Sequence, residues 1–312
     1  MSANTEQKSM YVKPKHKVRQ TPGDIVFNIF NGVLMTFVVV VMLYPILNTL
    51  AISFNEPVDS VRGGIYLLPR IFSLAAYEQV FENELLIIAF RNSILRTVLS
   101  TIGGLFVCSV AAYVLSRREF LLRRFVTVYF VITMYVSAGL IPTFFLFRDL
   151  GILNTFHVYW LPGLFGAFNV IVIRSYMQGL PDSLVEAARI DGAGEFRIFL
   201  QVILPICKPV LATVGLWIAV GSWNDWFTTE VFARQDHLAT LQHELMKLVS
   251  SAMSESGSAN VNPGDTSGGG HIMTPIAMRA AITMVATIPI LCVYPFLQKY
   301  FVKGVHVGSV KG

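Results

Sequence analysis

The sequence predicts an all-α membrane protein with six transmembrane helices, and three observations lead to this prediction. The chain has 312 residues, of which 54% are hydrophobic and only 14% are charged, whereas soluble domains carry about 25% charged residues. Its mean hydropathy is +0.59. The apolar residues fall in six long runs, and about 20 apolar residues are enough for a helix to cross a bilayer. Lipid is therefore the predicted solvent for most of the chain.

The six apolar runs define the predicted spans and the segments between them. The spans are residues 25–54, 87–115, 125–147, 156–177, 209–232 and 275–293. We expect an N-terminal tail at 1–23, a transmembrane domain at 24–301 with an outer loop at 233–274, and a C-terminal tail at 302–312. The outer loop contains LATLQHELMKLV, whose apolar spacing predicts a surface helix.

The distribution of lysine and arginine predicts the orientation of the chain. With the N-terminus inside, the inner segments hold 16 of these residues and the outer segments hold five. This excess predicts cytoplasmic tails at both ends. The remaining Arg91, Arg96 and Arg279 lie within spans, where a charge is by default a functional hypothesis. No cleavage site follows the first run, so we expect it to remain as an anchor.

The sequence indicates no catalytic, metal or nucleic-acid site in this chain. Cys108, Cys207 and Cys292 are far apart and form no CxxC pattern, so neither a zinc site nor a disulfide framework is predicted. The segment HELMK begins like a zinc-protease motif at His243, but Lys247 stands where the second histidine belongs. There is no P-loop and no GxSxG. The net charge of +5 comes from short basic clusters between apolar runs, which fits membrane topology rather than nucleic-acid binding.

One charged segment, SLVEAARIDGAGEFRIFLQVILP at 183–205, interrupts the apolar pattern. Ser183 and Glu186 have the spacing of a capping box, which predicts a short helix at about 184–190. Ala187 and Ala188 would give that helix a small, flat side that a partner could approach closely.

The second half of this segment predicts a turn and another helix. Gly192 and Gly194 allow a sharp turn because glycine adopts positive φ readily. A helix is then predicted at about 195–204, ended by Pro205. From these residues alone, an amphipathic loop on the membrane surface and a docking element for a partner remain equally open.

This segment resembles the cytoplasmic loop of permease subunits of binding-protein-dependent ABC importers. That pattern is Glu-Ala-Ala, three residues, Gly, nine residues, and Ile-x-Leu-Pro, with Val202 here in place of the isoleucine. The matching residues are Glu186, Ala187, Ala188, Gly192, Leu204 and Pro205. The resemblance extends over six spans, RDLGILNT, SWNDWF and a tail ending in VKG. It is nearest to the carbohydrate-uptake branch, among maltose-type permeases.

The resemblance implies that residues 182–205 form a cytoplasmic coupling loop whose first helix docks on an ATPase subunit. Glu186 would contact the ATPase, Gly192 would provide the bend, and Asp191 would be a first-turn or capping residue. The C-terminal tail would insert between two ATPase subunits. Its predicted contact residues are Gly304, Val310, Lys311 and Gly312.

The resemblance also implies the partners and the location. We expect a second homologous permease, two cytosolic ATPase subunits, an extracytoplasmic solute-binding protein and a sugar or oligosaccharide solute. ATP and Mg²⁺ would be bound by the ATPase subunits, and no cofactor by this chain. The protein would be a multi-pass subunit of the bacterial cytoplasmic membrane, surrounded by lipid.

Polar and aromatic positions in the later spans are candidates for the solute path, because aromatic faces stack on sugars and amides pair with hydroxyls. They are Tyr135, Asn169, Ser222, Trp223, Asn224 and Asp225. Trp223 could instead belong to an interfacial aromatic belt. In maltose-type importers the partner permease supplies most sugar contacts, so solute specificity could lie outside this chain. A passive channel or a membrane scaffold without an ATPase remains the alternative function.

Overall fold

The computed structural model describes residues 21–255 and 274–308, and every regular element in them is helical. This confirms the predicted all-α fold. The long helices are α1 (Pro22–Ser53), α4 (Glu84–Ser116), α11 (Lys208–Asn224), α13 (Leu241–Glu255) and α14 (Pro275–Gly308). The shorter α-helices are α2 (Pro57–Ser60), α3 (Ala75–Glu82), α5 (Arg123–Tyr135), α6 (Leu140–Asp149), α7 (Ala167–Gln178), α8 (Ser183–Ile190), α9 (Glu195–Ile198), α10 (Leu204–Ile206) and α12 (Phe227–Phe232). Three 3₁₀ turns (Phe156–Tyr159, Pro162–Leu164, Asp236–Leu238) and one π-helical turn (Phe199–Ile203) complete them.

Six membrane spans emerge when bent helix pairs are counted as single spans. Three helices are long and apolar enough to cross a membrane alone: Pro22–Ser53, Glu84–Ser116 and Pro275–Val293. Three further spans are pairs: Arg123–Tyr135 with Leu140–Asp149 at 115°, Phe156–Leu164 with Ala167–Gln178 at 42°, and Glu195–Ile206 with Lys208–Asn224 at 83°. The total of six agrees with the sequence.

The continuous third, fourth and fifth spans predicted from the sequence are wrong in detail. The fourth consists of two 3₁₀ turns followed by α7 at an angle of 42°. The third is interrupted between α5 and α6, where Gly139 has a φ of 85° that a helix cannot contain. The predicted fifth span at 209–232 ends at Asn224, and α12 forms separately after it. Apolar composition alone does not reveal such breaks, because both halves of a broken span are equally apolar.

Among the described residues, those from Thr21 to Leu47 form one unit and those from Asn48 onward form another. In the first unit, α1 is apolar and exposed around its whole circumference, as a lipid-facing helix is. Its start is fixed by Thr21, whose N–H and hydroxyl both donate to the Asp24 carboxylate at 2.8 Å.

In the second unit, α4 lies at the centre and packs against α7 and α11. Glycines allow the helices to approach closely. A Cβ on Gly215 of α11 would lie 3.0 Å from Leu105 Cδ1 of α4, and one on Gly104 would lie 3.3 Å from Ile218 Cδ1. Small residues at crossing points are typical of membrane helix packing.

Helix α14 packs against α11, α13 and α3 around a second apolar cluster. The predicted surface helix in the outer loop is present as α13, but its first turn is not on the surface, because Leu241 is only 1% exposed. Helix α14 continues without interruption past the predicted span end at 293 and across the predicted tail boundary at 302. Gly304 is therefore helical, whereas Val310, Lys311 and Gly312 lie outside the described residues, as do 1–20 and 256–273.

Candidate functional site

Helix α8 is the charged helix predicted in the 182–205 segment, and it begins one residue earlier than expected. The predicted capping box is wrong. Ser183 already lies within the helix, the N-cap position falls on Asp182, and no side chain caps the helix by a hydrogen bond. Asp182 instead forms an ion pair of 3.4 Å with Arg118.

One side of α8 is anchored and the other is free. Val185 is buried in the main core, and Ala188 packs partly against it. Glu186, Ala187 and Ile190 are exposed, and Ile190 is 86% exposed. These three residues form what we call the docking face. This face therefore combines an exposed apolar side chain with a small residue and a carboxylate.

The turn after α8 is rigidly hydrogen-bonded. Gly192 has a φ of 77°, which confirms the predicted glycine turn. Its N–H donates to the Arg189 carbonyl at 3.0 Å, and the Ala193 N–H donates to the Ala188 carbonyl at 3.0 Å. These two bonds are those of a Schellman motif, which satisfies carbonyls at a helix C-terminus.

An ionic network, which the sequence did not predict, ties α8 to the end of α4. Arg189 donates to Glu119 at 2.8 Å and to Glu195 at 2.9 Å. The Tyr113 hydroxyl donates to the other oxygen of Glu195 at 2.7 Å. Hydrogen bonding to Glu119 and Glu195 raises the pKa of Arg189, and the bond from Arg189 lowers the pKa of Glu119. Arg189 and Glu119 therefore stay charged at neutral pH.

The chain runs from the turn into α11 through an irregular helix. The predicted helix at 195–204 is present but irregular, and the predicted stop at Pro205 is wrong, because the helix continues to Ile206. Helix α9 passes into the π-helical turn and then into α10, where Pro205 occupies the first turn, a position that tolerates the missing N–H. Ile198 and Ile203 are fully buried here, and Leu204 packs partly against the same core.

A buried ion pair lies at the opposite end of α11 from α8. Arg96 of α4 contacts the Asp225 carboxylate and donates to the Asp225 carbonyl at 2.6 Å. The Arg96 guanidinium also lies 4.8 Å from the centre of the Tyr159 ring. Asp225 further accepts bonds from the Thr228 N–H at 3.0 Å and hydroxyl at 2.6 Å. Of the arginines predicted within spans, Arg96 is the buried one.

A cavity of about 310 Å³ adjoins this pair, and we call it the Asp225 cavity. Its wall includes Arg96, Ser100, Thr143, Gly221, Ser222 and Asp225. Two of the predicted path residues, Ser222 and Asp225, are therefore brought together at one site.

The other predicted path residues lie elsewhere. Trp223 points into the bundle, is 7% exposed and donates from Nε1 to the Ala286 carbonyl at 3.0 Å, so its faces are occupied by packing. Asn224 is exposed and bonded to the Val220 carbonyl at 3.0 Å. Tyr135 is 84% exposed at the end of α5. Asn169 lies half-buried in the first turn of α7.

Comparison with known proteins gives relatives over nearly the whole chain. A polygalacturonan/rhamnogalacturonan transport system permease protein of Bacillus subtilis, YtcP, is 35% identical over 90% of this chain and 96% of its own length. Protein LplC of the same organism is 34% identical over 95% of this chain and 99% of its own. A crystal structure of a bacterial ABC transporter involved in the import of the acidic polysaccharide alginate matches with a TM-score of 0.80 and 30% identity, over 91% of this chain and 99% of that one.

The family comparison covers the helices described above. The sequence profile of the binding-protein-dependent transport system inner membrane components matches residues 104–307. This range begins inside α4 and includes the docking face, the ionic network and the lining of the Asp225 cavity apart from Arg96 and Ser100. The chain is therefore a membrane-embedded transport permease and belongs to the family of binding-protein-dependent transport system inner membrane components.

Proposed function

We propose that this chain is one of two permease subunits of an ABC importer and forms part of the path for a sugar or oligosaccharide. The names of its relatives support this: they include permeases for polygalacturonan or rhamnogalacturonan, for arabinooligosaccharides and for maltodextrin. The chain itself is a transport subunit without catalysis. ATP hydrolysis, together with the binding of ATP and Mg²⁺, is assigned to two partner ATPase subunits.

The docking face is the observation that carries this proposal. A helix of eight residues presents Glu186, Ala187 and Ile190 outward, while Val185 and the Arg189 network hold it in place. Its small side chains allow close approach, and its exposed isoleucine provides apolar area. Ile190 is 86% exposed on the same side of the helix as Glu186 and Ala187, so the apolar area and the charge are presented together.

The remaining arrangement follows from this role. The docking face is placed in the cytoplasm, with both chain termini on the same side. The outer loop at 233–274 and the solute-binding protein are then on the opposite side. Gly304 and the tail residues Val310, Lys311 and Gly312 are proposed as a second contact with the ATPase subunits.

The test is purification in a mild detergent followed by mass spectrometry of the copurifying proteins. We expect an ATPase and a second permease. The variant Ile190→Asp should lose the ATPase, because it places a charge in the docking face. The matched control is Leu121→Asp, which changes a 95% exposed residue on the neighbouring link and should retain the ATPase. A wild-type chain that purifies alone, in a detergent that preserves such complexes, contradicts the proposal and favours a channel or a scaffold.

A further inference from the structure

The Asp225 cavity has the size of a small binding site, and its lining combines an ion pair and hydroxyl groups with apolar side chains such as Phe147, Ile218 and Phe232. Its volume of about 310 Å³ is at the lower end of ligand pockets, which hold about 300–1,000 Å³. The hydroxyl side chains of Ser100, Thr143, Ser222 and Thr228 line it together with the ion pair. Within the described residues, Arg96 and Asp225 are the only charged groups in the lining, and their charges cancel.

The two members of the ion pair are not equally accessible. The Arg96 side chain is 4% exposed, whereas the Asp225 side chain is 30% exposed. A solute that enters the cavity therefore meets the carboxylate, while the guanidinium lies behind it. Arg96 contacts the Asp225 carboxylate and donates to the Asp225 carbonyl, so Arg96 is a positioning residue for Asp225.

The hydrogen-bonding groups that a solute can reach in the cavity are mainly acceptors, because the one unpartnered donor of Arg96, Nε, is fully buried. A carboxylate accepts about four hydrogen bonds, and Asp225 receives three from Arg96 and Thr228. The hydroxyl of Thr143 donates to the Gly139 carbonyl at 2.7 Å, and that of Ser100 donates to the Tyr159 carbonyl at 3.3 Å. Both hydroxyl protons are thus engaged, and the oxygens remain free to accept.

We propose that the Asp225 cavity is a subsite for the hydroxyl groups of a neutral sugar ring, with Asp225 as the principal acceptor. This inference rests on the proposed function, in which this chain forms part of a sugar path. Sugar hydroxyls supply donors for the free acceptor positions of Asp225, Ser100 and Thr143. A uronate carboxylate supplies none, and it would place a second anion beside Asp225. An acidic oligosaccharide would therefore keep its carboxylates away from this cavity.

The experiment measures protection of a cysteine placed in the cavity. Ser222→Cys, in a Cys292→Ser background, is labelled with N-ethylmaleimide in membrane vesicles that contain the assembled importer. The probes are galactotriose and trigalacturonate, which match in ring and length and differ in the carboxylates. We expect galactotriose to slow labelling about threefold, the factor that a ligand at twice its Kd gives by mass action, and trigalacturonate to slow it less. Val220→Cys, exposed on the same helix and outside the cavity lining, is the matched control and should show no protection.

Two further variants test separately whether protection depends on the Asp225 carboxylate and on the empty space of the cavity. Asp225→Asn introduces an amide donor and should narrow the difference in labelling protection between galactotriose and trigalacturonate. Gly221→Leu should remove protection by filling the cavity, since a Cβ there meets no atom within 4 Å and the helix tolerates it. Equal or better protection by trigalacturonate, or protection by neither sugar, overturns the subsite. Absence of a copurifying ATPase, with galactotriose protection intact, overturns the proposed function and leaves the subsite standing.

Discussion

Substitution of Trp223 distinguishes a packing role of this residue from a role in the solute path. The indole lies between α11 and α14, with Nε1 donating to the Ala286 carbonyl at 3.0 Å and the Phe90 ring edge-on at a centroid distance of 6.3 Å. The substitution Trp223→Phe removes the hydrogen bond and part of the ring, but it retains an aromatic side chain. If the residue only packs, stability falls and transport by the folded protein is unchanged.

The expected loss of stability follows from these contacts. A buried hydrogen bond contributes about 0.5–1.5 kcal/mol, and the smaller ring adds a cavity, so we expect about 1–2 kcal/mol for Trp223→Phe. At about 2–4 °C per kcal/mol for a chain of this size, the Tm should fall by about 2–8 °C. Trp223→Ala should lower the free energy of unfolding by about 3–5 kcal/mol.

The assay is thermal unfolding of the purified complex, combined with solute uptake per folded importer in vesicles. Trp217→Phe is the control, because Trp217 lies on the same helix and is 40% exposed; its effect should stay within about 0.5 kcal/mol. A Trp223→Phe importer that keeps the wild-type Tm but takes up solute several-fold more slowly would refute the packing argument.

Three further changes have defined outcomes. Glu186→Lys reverses an exposed charge of the docking face, so the chain should still assemble in the membrane while ATP hydrolysis stimulated by the binding protein is lost; normal stimulation would exclude Glu186 from coupling. Glu119→Arg should weaken the same stimulation by repelling Arg189, whereas Glu119→Gln should preserve most of it. Arg189 lowers the pKa of Glu119, so the bond between them is fully present above the usual carboxylate pKa and is lost only as the pH falls through the lowered value. The rate of amide hydrogen exchange in α8, corrected for intrinsic rates, should therefore not change between about pH 8 and pH 6. Gly215→Leu should lower the Tm by overpacking α4, at a cost of about 1–3 kcal/mol, while Gly221→Leu should leave it unchanged.

The features that the sequence predicted are those determined by local residues or by composition. Six apolar runs were sufficient for the fold class. The α8 helix and the turn at Gly192 were also predictable, because a glycine with positive φ acts on its immediate neighbours. The capping box failed for a local reason too: a shift of the helix start by one residue moved Ser183 out of the cap position.

The features that the sequence did not predict depend on pairs of residues distant in the chain. Arg189 and Glu119 are 70 residues apart, and Arg96 and Asp225 are 129 apart. Arg96 and Asp225 were recognisable as charges within or beside a span, whereas Arg189 and Glu119 lie in charged segments where nothing distinguishes them. One sequence contains no information about which partner each residue contacts. Trp223 illustrates the same limit, since a tryptophan near a helix end is compatible with a belt, a sugar site or a core until the neighbouring helix is known.

These long-range contacts determine how α8 could transmit a movement in the proposed importer. ATP shifts a conformational equilibrium only when it binds the two conformations with different free energies, and the difference reaches the solute path only through connected elements. Helix α8 is joined to the core by Val185, to α4 by the Arg189 network, and to α11 through the buried Ile198 and Ile203. The turn at Gly192 is closed by Schellman hydrogen bonds and is not a loose hinge. We therefore expect α8, α4 and α11 to move as one body, so that displacement of the docking face displaces the Asp225 cavity at the other end of α11.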